Sequence, residues 1–136
     1  MQEPAEPYVI DFETRSRADL KAEGADRYAK DESTGVWCLA YAPVSKAREP
    51  AIWHPGLEPP ANLVGAVRAG GSIIAYNAPF EYLIWNYVLR RDDDRWPELH
   101  EHQLDDTMAR ALAMGLPADL FRCAKVLGVP IEKHAD

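Results

Sequence analysis

Cysteine is scarce in this chain of 136 residues, which has only Cys38 and Cys123. Each lies inside an apolar run, VWCLAY or LFRCAKVL, a setting that suits buried free thiols in a reducing compartment and not a disulfide framework. Long apolar runs are lacking as well, and none approaches the ~18 residues of a membrane span. The N-terminus, MQEPAEP, is acidic and contains proline, without the basic-then-apolar order of a secretory signal. A cytoplasmic location without membrane contact is the expectation. Basic residues are in deficit: 15 Lys and Arg face 22 Asp and Glu, for a formal charge of −7. That balance argues against holding nucleic acid by a broad basic face. It still admits a nucleic-acid enzyme, because carboxylates that gather divalent cations become locally positive toward a phosphate. Neither an internal repeat nor a low-complexity tract is present.

What remains is a chain sized for one domain, residues 1–136, with 1–7 as a flexible leader and enough length to bury about two thirds of its unfolded surface. Strands are expected over Tyr8 to Arg15, Val36 to Pro43, Ala51 to His54 and Ser72 to Tyr76, the first two rich in β-branched and aromatic residues. The polar connection ADLKAEGADRYAKDESTG reads as holding a short helix that ends near Gly24 or Lys30. Leu63, Val64 and Val67 recur at helical spacing after a proline-rich start, and Gly70-Gly71 stops that helix. NAPFEYLIWNYVLRR reads as the next helix, with Pro79 in the first turn and Phe80, Ile84, Tyr87 and Val88 as its core stripe. Two helices follow, Asp105 to Met114 closed by Gly115 and Pro117 to Leu127 closed by Gly128. The order predicts an α/β fold, a mixed sheet flanked by helices.

The first strand carries a conspicuous pair. In YVIDFETRS, side-chain alternation puts Asp11 and Glu13 on one face and Ile10 and Phe12 on the other. Two anions sharing a patch call for a proton or a bound cation if that patch is a cleft. Glu81 falls in the first turn of a helix that follows a strand, so all three carboxylates are expected to meet at one sheet edge. Three acids without paired bases suit hard cations, two Mg²⁺ or Mn²⁺, and two-metal phosphodiester hydrolysis is the chemistry that most needs them.

DFET on the first strand and AYNAPFEYLIW on a later strand and helix resemble the first two motifs of the DnaQ-like (DEDD) 3′-to-5′ exonucleases. The similarity is closest to the N-terminal proofreading-type exonuclease domain of phage and prophage family A DNA polymerases. It extends through GADRYAKDESTGVWCLAYA and DTMARALAMGLPADLFRCAKVLGVPIEK, in that family's order. The resemblance implies an RNase H-like sheet, a single-stranded DNA 3′ end as substrate and a polymerase domain on the C-terminal side. It also implies roles: Asp11 bridging both metals, Glu13 on the nucleophile side, Glu81 on the second metal, Thr14 near the terminal nucleotide, and Asn77 and Phe80 shaping its base pocket. Two departures stand out. Glu81 occupies a position where the wider superfamily has Asp. The third motif, with its fourth metal-binding Asp, is absent; the chain ends EKHAD, with His134 and Asp136 at the wrong spacing. The resemblance therefore implies an N-terminal piece of a larger nuclease, C-terminally truncated, with weak or no turnover by itself.

Plainer readings accompany these. Glu81 also suits the positive end of a helix dipole, and Asn77 and the Asp105-Asp106-Thr107 run suit helix-start capping. His100, His102 and Asp105 offer zinc ligands but read as polar loop. Asp92 to Asp94 with Arg90, Arg91 and Arg95 reads as a solvated helix end; Trp37, Trp53, Trp85 and Trp96 read as packing. A non-catalytic RNase H-like docking module is the alternative function. A helix-turn-helix over ARALAMGLPADLFRCAKVLG is a third, weakened because its second helix offers only Arg122 and Lys125 as basic readers.

Overall fold

The computed structural model describes residues 5–116 and 119–128. Pro117, His134, Asp136 and the Cys123 side chain, all singled out from the sequence, lie outside the described residues. The strand β1 (Tyr8–Arg15) buries Tyr8, Ile10 and Phe12 and turns Asp11, Glu13 and Arg15 outward, as its alternation requires. It pairs antiparallel with β2 (Gly35–Pro43), which pairs antiparallel with β3 (Ala51–Trp53). On its other side β1 pairs parallel with β4 (Ile73–Ala75), and β4 pairs parallel with β5 (Leu104–Asp106). Among the described residues this makes one five-stranded mixed sheet of order β3-β2-β1-β4-β5, an α/β, RNase H-like arrangement flanked by helices.

Helices α1 (Leu20–Glu23) and α2 (Ala25–Lys30) divide the first connection at Gly24, whose φ of 85° is open to glycine. Helix α3 (Ala61–Arg68) buries Leu63, Val64 and Val67 against the sheet and ends in a Schellman motif. The Gly71 N–H donates to the Ala66 carbonyl at 2.9 Å and the Gly70 N–H to that of Val67 at 3.0 Å. A Cβ on Gly71 would stand 2.9 Å from the Ala66 oxygen, so the close approach itself excludes a side chain. The leader is tied at its end: the Val44 N–H donates to the Pro7 carbonyl and the Ser45 N–H to Glu6 Oε1.

The long helix departs from the 3.6-residue reading. It begins as α4 (Ala78–Ile84), widens into a π-helical segment over Trp85–Leu89 and resumes as α5 (Arg90–Asp92). The wider turn rotates later side chains off the expected stripe. Trp85, Val88 and Leu89 are buried with Ile84, while Tyr87, expected in the core, is 41% exposed and faces the Lys30 ammonium. Trp96 packs edge-to-face on both Trp53 and Trp85, with ring centroids 5.0 and 5.2 Å away. Its buried indole N–H has no oxygen or nitrogen acceptor.

Three other expectations are corrected. Asp105 and Asp106, read as a helix start, belong to the strand β5 (Leu104–Asp106), and α6 (Thr107–Ala113) begins after it. Trp37 lies outside the core at 62% exposure, and Cys38 is only half-buried. The pairing passes from Glu13↔Cys38 to Thr14↔Val36, which leaves Trp37 as the extra residue of a β-bulge. Helix α7 (Leu120–Leu127) is capped by the Asp119 carboxylate and closed by Gly128 at φ 73°. Among the described residues no helix is long and apolar enough to cross a membrane.

Candidate active site

The parallel pairing of β1 with β4 covers only Tyr8 and Val9 of β1, so the next residues of β1 lose their sheet partner on that side. Glu81, in the first turn of α4, fills the gap: its Oε2 accepts from the Phe12 N–H at 3.1 Å. A buried backbone donor must find an acceptor, and here the acceptor is a carboxylate brought in by the helix. Glu81 is 5% exposed. Burial first, then the Asp11 carboxylate, pushes its pKa up to about 8 against the hydrogen bond from Phe12, with Glu13 adding to the rise. The Asp11 pKa is also raised, by desolvation first and by Glu13 second, although one side of the residue opens to solvent.

The three predicted acids are therefore brought within electrostatic reach of one another, and burial together with their repulsion favours a proton on Glu81. Oε2 is occupied by the Phe12 N–H, which leaves Oε1 as the oxygen for that proton. The donor set is all hard oxygen, the chemistry that suits Mg²⁺ or Mn²⁺, and a cation would take over the neutralising role. The set is not a closed cage: among the described residues no group of three or more His, Cys, Asp and Glu side chains stands in metal-holding arrangement. The residues fit the ion by donor type and charge, with the acids still to draw together around it.

A second layer holds Glu81 in register. Asn77, the helix N-cap, adopts a left-handed conformation at φ 67° and ψ 57°, and its side chain makes no capping bond. Its backbone N–H donates to Asp106 Oδ1 at 2.9 Å, and the same oxygen caps α6 by accepting from the Met108 N–H at 3.1 Å. Thr107 Oγ1 donates to the Ala75 carbonyl at 3.3 Å. Asp106 and Thr107 thus clamp the β4–α4 turn that presents Glu81, and Asp106 has the capping role its sequence position suggested.

Thr14 Oγ1 shares a 2.8 Å hydrogen bond with the Tyr28 hydroxyl, and the Tyr28 ring lies 5.9 Å from that of Phe80, tilted by 42°. Thr14 and Phe80, the expected substrate contacts, are therefore joined through Tyr28, which the sequence reading passed over inside a connection classed as polar. Its signal was the Tyr28-Ala29 pair, the buried face of α2. His100 and His102 stack on each other while Asp105 pairs with Arg110 at 2.9 Å, so these three do not converge on zinc. The charged helix end is as expected, with Arg91 on Asp92 and Arg95 on Asp93. Compared with known proteins, the chain matches no family model and no curated protein.

Proposed function

We propose that this chain is a metal-dependent 3′-to-5′ exonuclease domain of the DEDD type, acting on the single-stranded 3′ end of DNA beside a polymerase domain. The observation that carries the reading is Glu81: a buried acid, held by the Phe12 N–H and coupled through space to Asp11 and Glu13, at the open edge between two parallel strands. Such crevices beyond strand ends are where open α/β sheets bind ligands. Asp11 and Glu13 would hold the cations from the strand and Glu81 from the helix, releasing its Oε1 proton as it does so. Two bound divalent cations supply an activated water and a stabilised leaving oxygen. Thr14, Asn77 and Phe80 would flank the terminal nucleotide, with Tyr28 fixing Thr14 against Phe80.

That no metal-holding group of ligands stands together among the described residues favours one competing reading, a non-catalytic RNase H-like nucleic-acid-binding or docking module. Hydrolysis of a 5′-labelled single strand in Mn²⁺ separates the two. Any 3′-end shortening that Asp11→Ala abolishes supports the nuclease. Oligonucleotide binding with neither cleavage nor a metal response supports the docking module.

A further inference from the structure

Alternation along β1 places Arg15 on the same face as Asp11 and Glu13, about 7 Å beyond Glu13 along the strand. There the β2 bulge pushes Trp37 out to 62% exposure, and the Arg15 guanidinium lies over its ring, 5.6 Å from the centroid. An indole in the open costs apolar surface, yet this one is held by a bulge, the device that re-aims a side chain. The neighbouring backbone is cut to fit. Arg15 pairs with Gly35, and a Cβ there would stand 3.0 Å from the guanidinium, so glycine leaves the arginine room to lie across the strand.

Arg15 also borders a groove of about 610 Å³ that runs on past the end of β1, with Arg17, Ser33 and Arg91 among its walls. The turn that carries Arg17 is fixed from below. Its N–H donates to Ser33 Oγ at 2.9 Å, and Ser33 in turn donates to Asp31 at 2.6 Å. Arg91 is paired with Asp92, and Glu32 is a further acid in the groove. Among the described residues, however, neither Arg15 nor Arg17 has an ion pair. On a chain of charge −7, the Arg15 guanidinium over an exposed indole, in line with an acid pair, and Arg17, which interacts with Asp31 through space without a close ion pair, are a combination with one obvious class of ligand. Aromatic rings that stack bases and cations that follow phosphates are how single strands are held without sequence preference.

We infer that Trp37 and Arg15, with Arg17 in the adjoining groove, form a platform for single-stranded nucleic acid, stacking a base on Trp37 and leading the strand away from Asp11 and Glu13. The direction of the strand rests on the nuclease reading; the platform itself does not. The test is fluorescence anisotropy of a 5′-labelled oligothymidylate with the whole chain, Ca²⁺ replacing Mn²⁺, alongside calorimetric Mn²⁺ titration of each variant.

Trp37→Ala is expected to weaken oligonucleotide binding about tenfold and Trp37→Phe to retain most of it. Arg15→Ala should lower the slope of log affinity against log salt by about 0.7. Mn²⁺ binding should be unchanged in all three. Equal affinity with and without the indole, or no oligonucleotide binding by the parent chain, overturns the platform even where Mn²⁺ still binds. Loss of affinity in Trp37→Ala in a chain that ignores Mn²⁺ supports the platform and counts against the nuclease reading alone.

Discussion

Glu81 concentrates the chemistry of the site in one ionisation. Its folded pKa of about 8 stands above the ordinary 4.5, so the folded, metal-free chain binds this proton more tightly than the unfolded chain does. The stability that follows is fully present below about pH 4.5 and is lost as pH rises through about 8. Glu81→Gln keeps an acceptor for the Phe12 N–H and removes the ionisation. Without metal, it is expected to match the parent near pH 4 and exceed it above pH 8, by an upper bound of roughly 5 kcal/mol. Urea unfolding at the two pH values measures this, and parallel pH profiles for the two proteins would contradict it. Asn77 offers a second residue-scale prediction. Its left-handed backbone costs Ala about 1 kcal/mol and costs Gly nothing, so thermal unfolding should rank Asn77→Gly at or above the parent and Asn77→Ala below it. Such conformations were not legible in NAPFE, where a cap was foreseen and its left-handed backbone was not. The acid pair on β1 was legible, because alternation along a strand needs no tertiary information.

Elements whose periodicity is local were read correctly, and those set by their neighbours were not. β1 runs over Tyr8–Arg15 as its pattern indicates, and α3 stops at its glycine pair. The three-residue β5, with two aspartates among them, exists because Ile73, Ile74 and Ala75 offer it a parallel partner. Nothing in the sequence LDD favours a strand. Likewise Trp37 is outside because of a bulge in strand pairing, and Tyr87 because a π-helical segment breaks the helical phase. That segment is fastened by Asn86. Its Nδ2 donates to the Leu99 carbonyl at 2.9 Å and its Oδ1 accepts from the Leu99 N–H at 3.0 Å, binding the Trp96–His100 loop to the helix. Asn86→Ala leaves both Leu99 groups without these partners and is expected to lower stability by about 1 to 3 kcal/mol. Calorimetric unfolding tests it; an unchanged midpoint would mean that water replaces the side chain at no cost.

On the scale of the whole molecule, an acidic protein with an RNase H-like sheet gathers Asp11, Glu13 and Glu81 at the edge where β1 outruns β4, and sets Arg15, Arg17 and Trp37 beside them. In the proposed nuclease, negative charge at the sheet edge would hold the cations and positive charge beyond it the strand. A mixed sheet flanked by helices was foreseeable from the order of elements; its fifth strand was not, and the electrostatic coupling of acids 70 residues apart depends on how α4 docks on β1, which only the fold supplies. The most direct test of the account is a thermal-shift titration of the chain with Mn²⁺, with Asp11→Ala and Glu81→Ala run in parallel. At about a hundred times the dissociation constant, metal binding should contribute roughly 2.7 kcal/mol, a rise of several degrees in midpoint, and the rise should vanish in both variants. A parent chain whose midpoint does not move, or a rise that survives both substitutions, would contradict the claim that these carboxylates form one metal site.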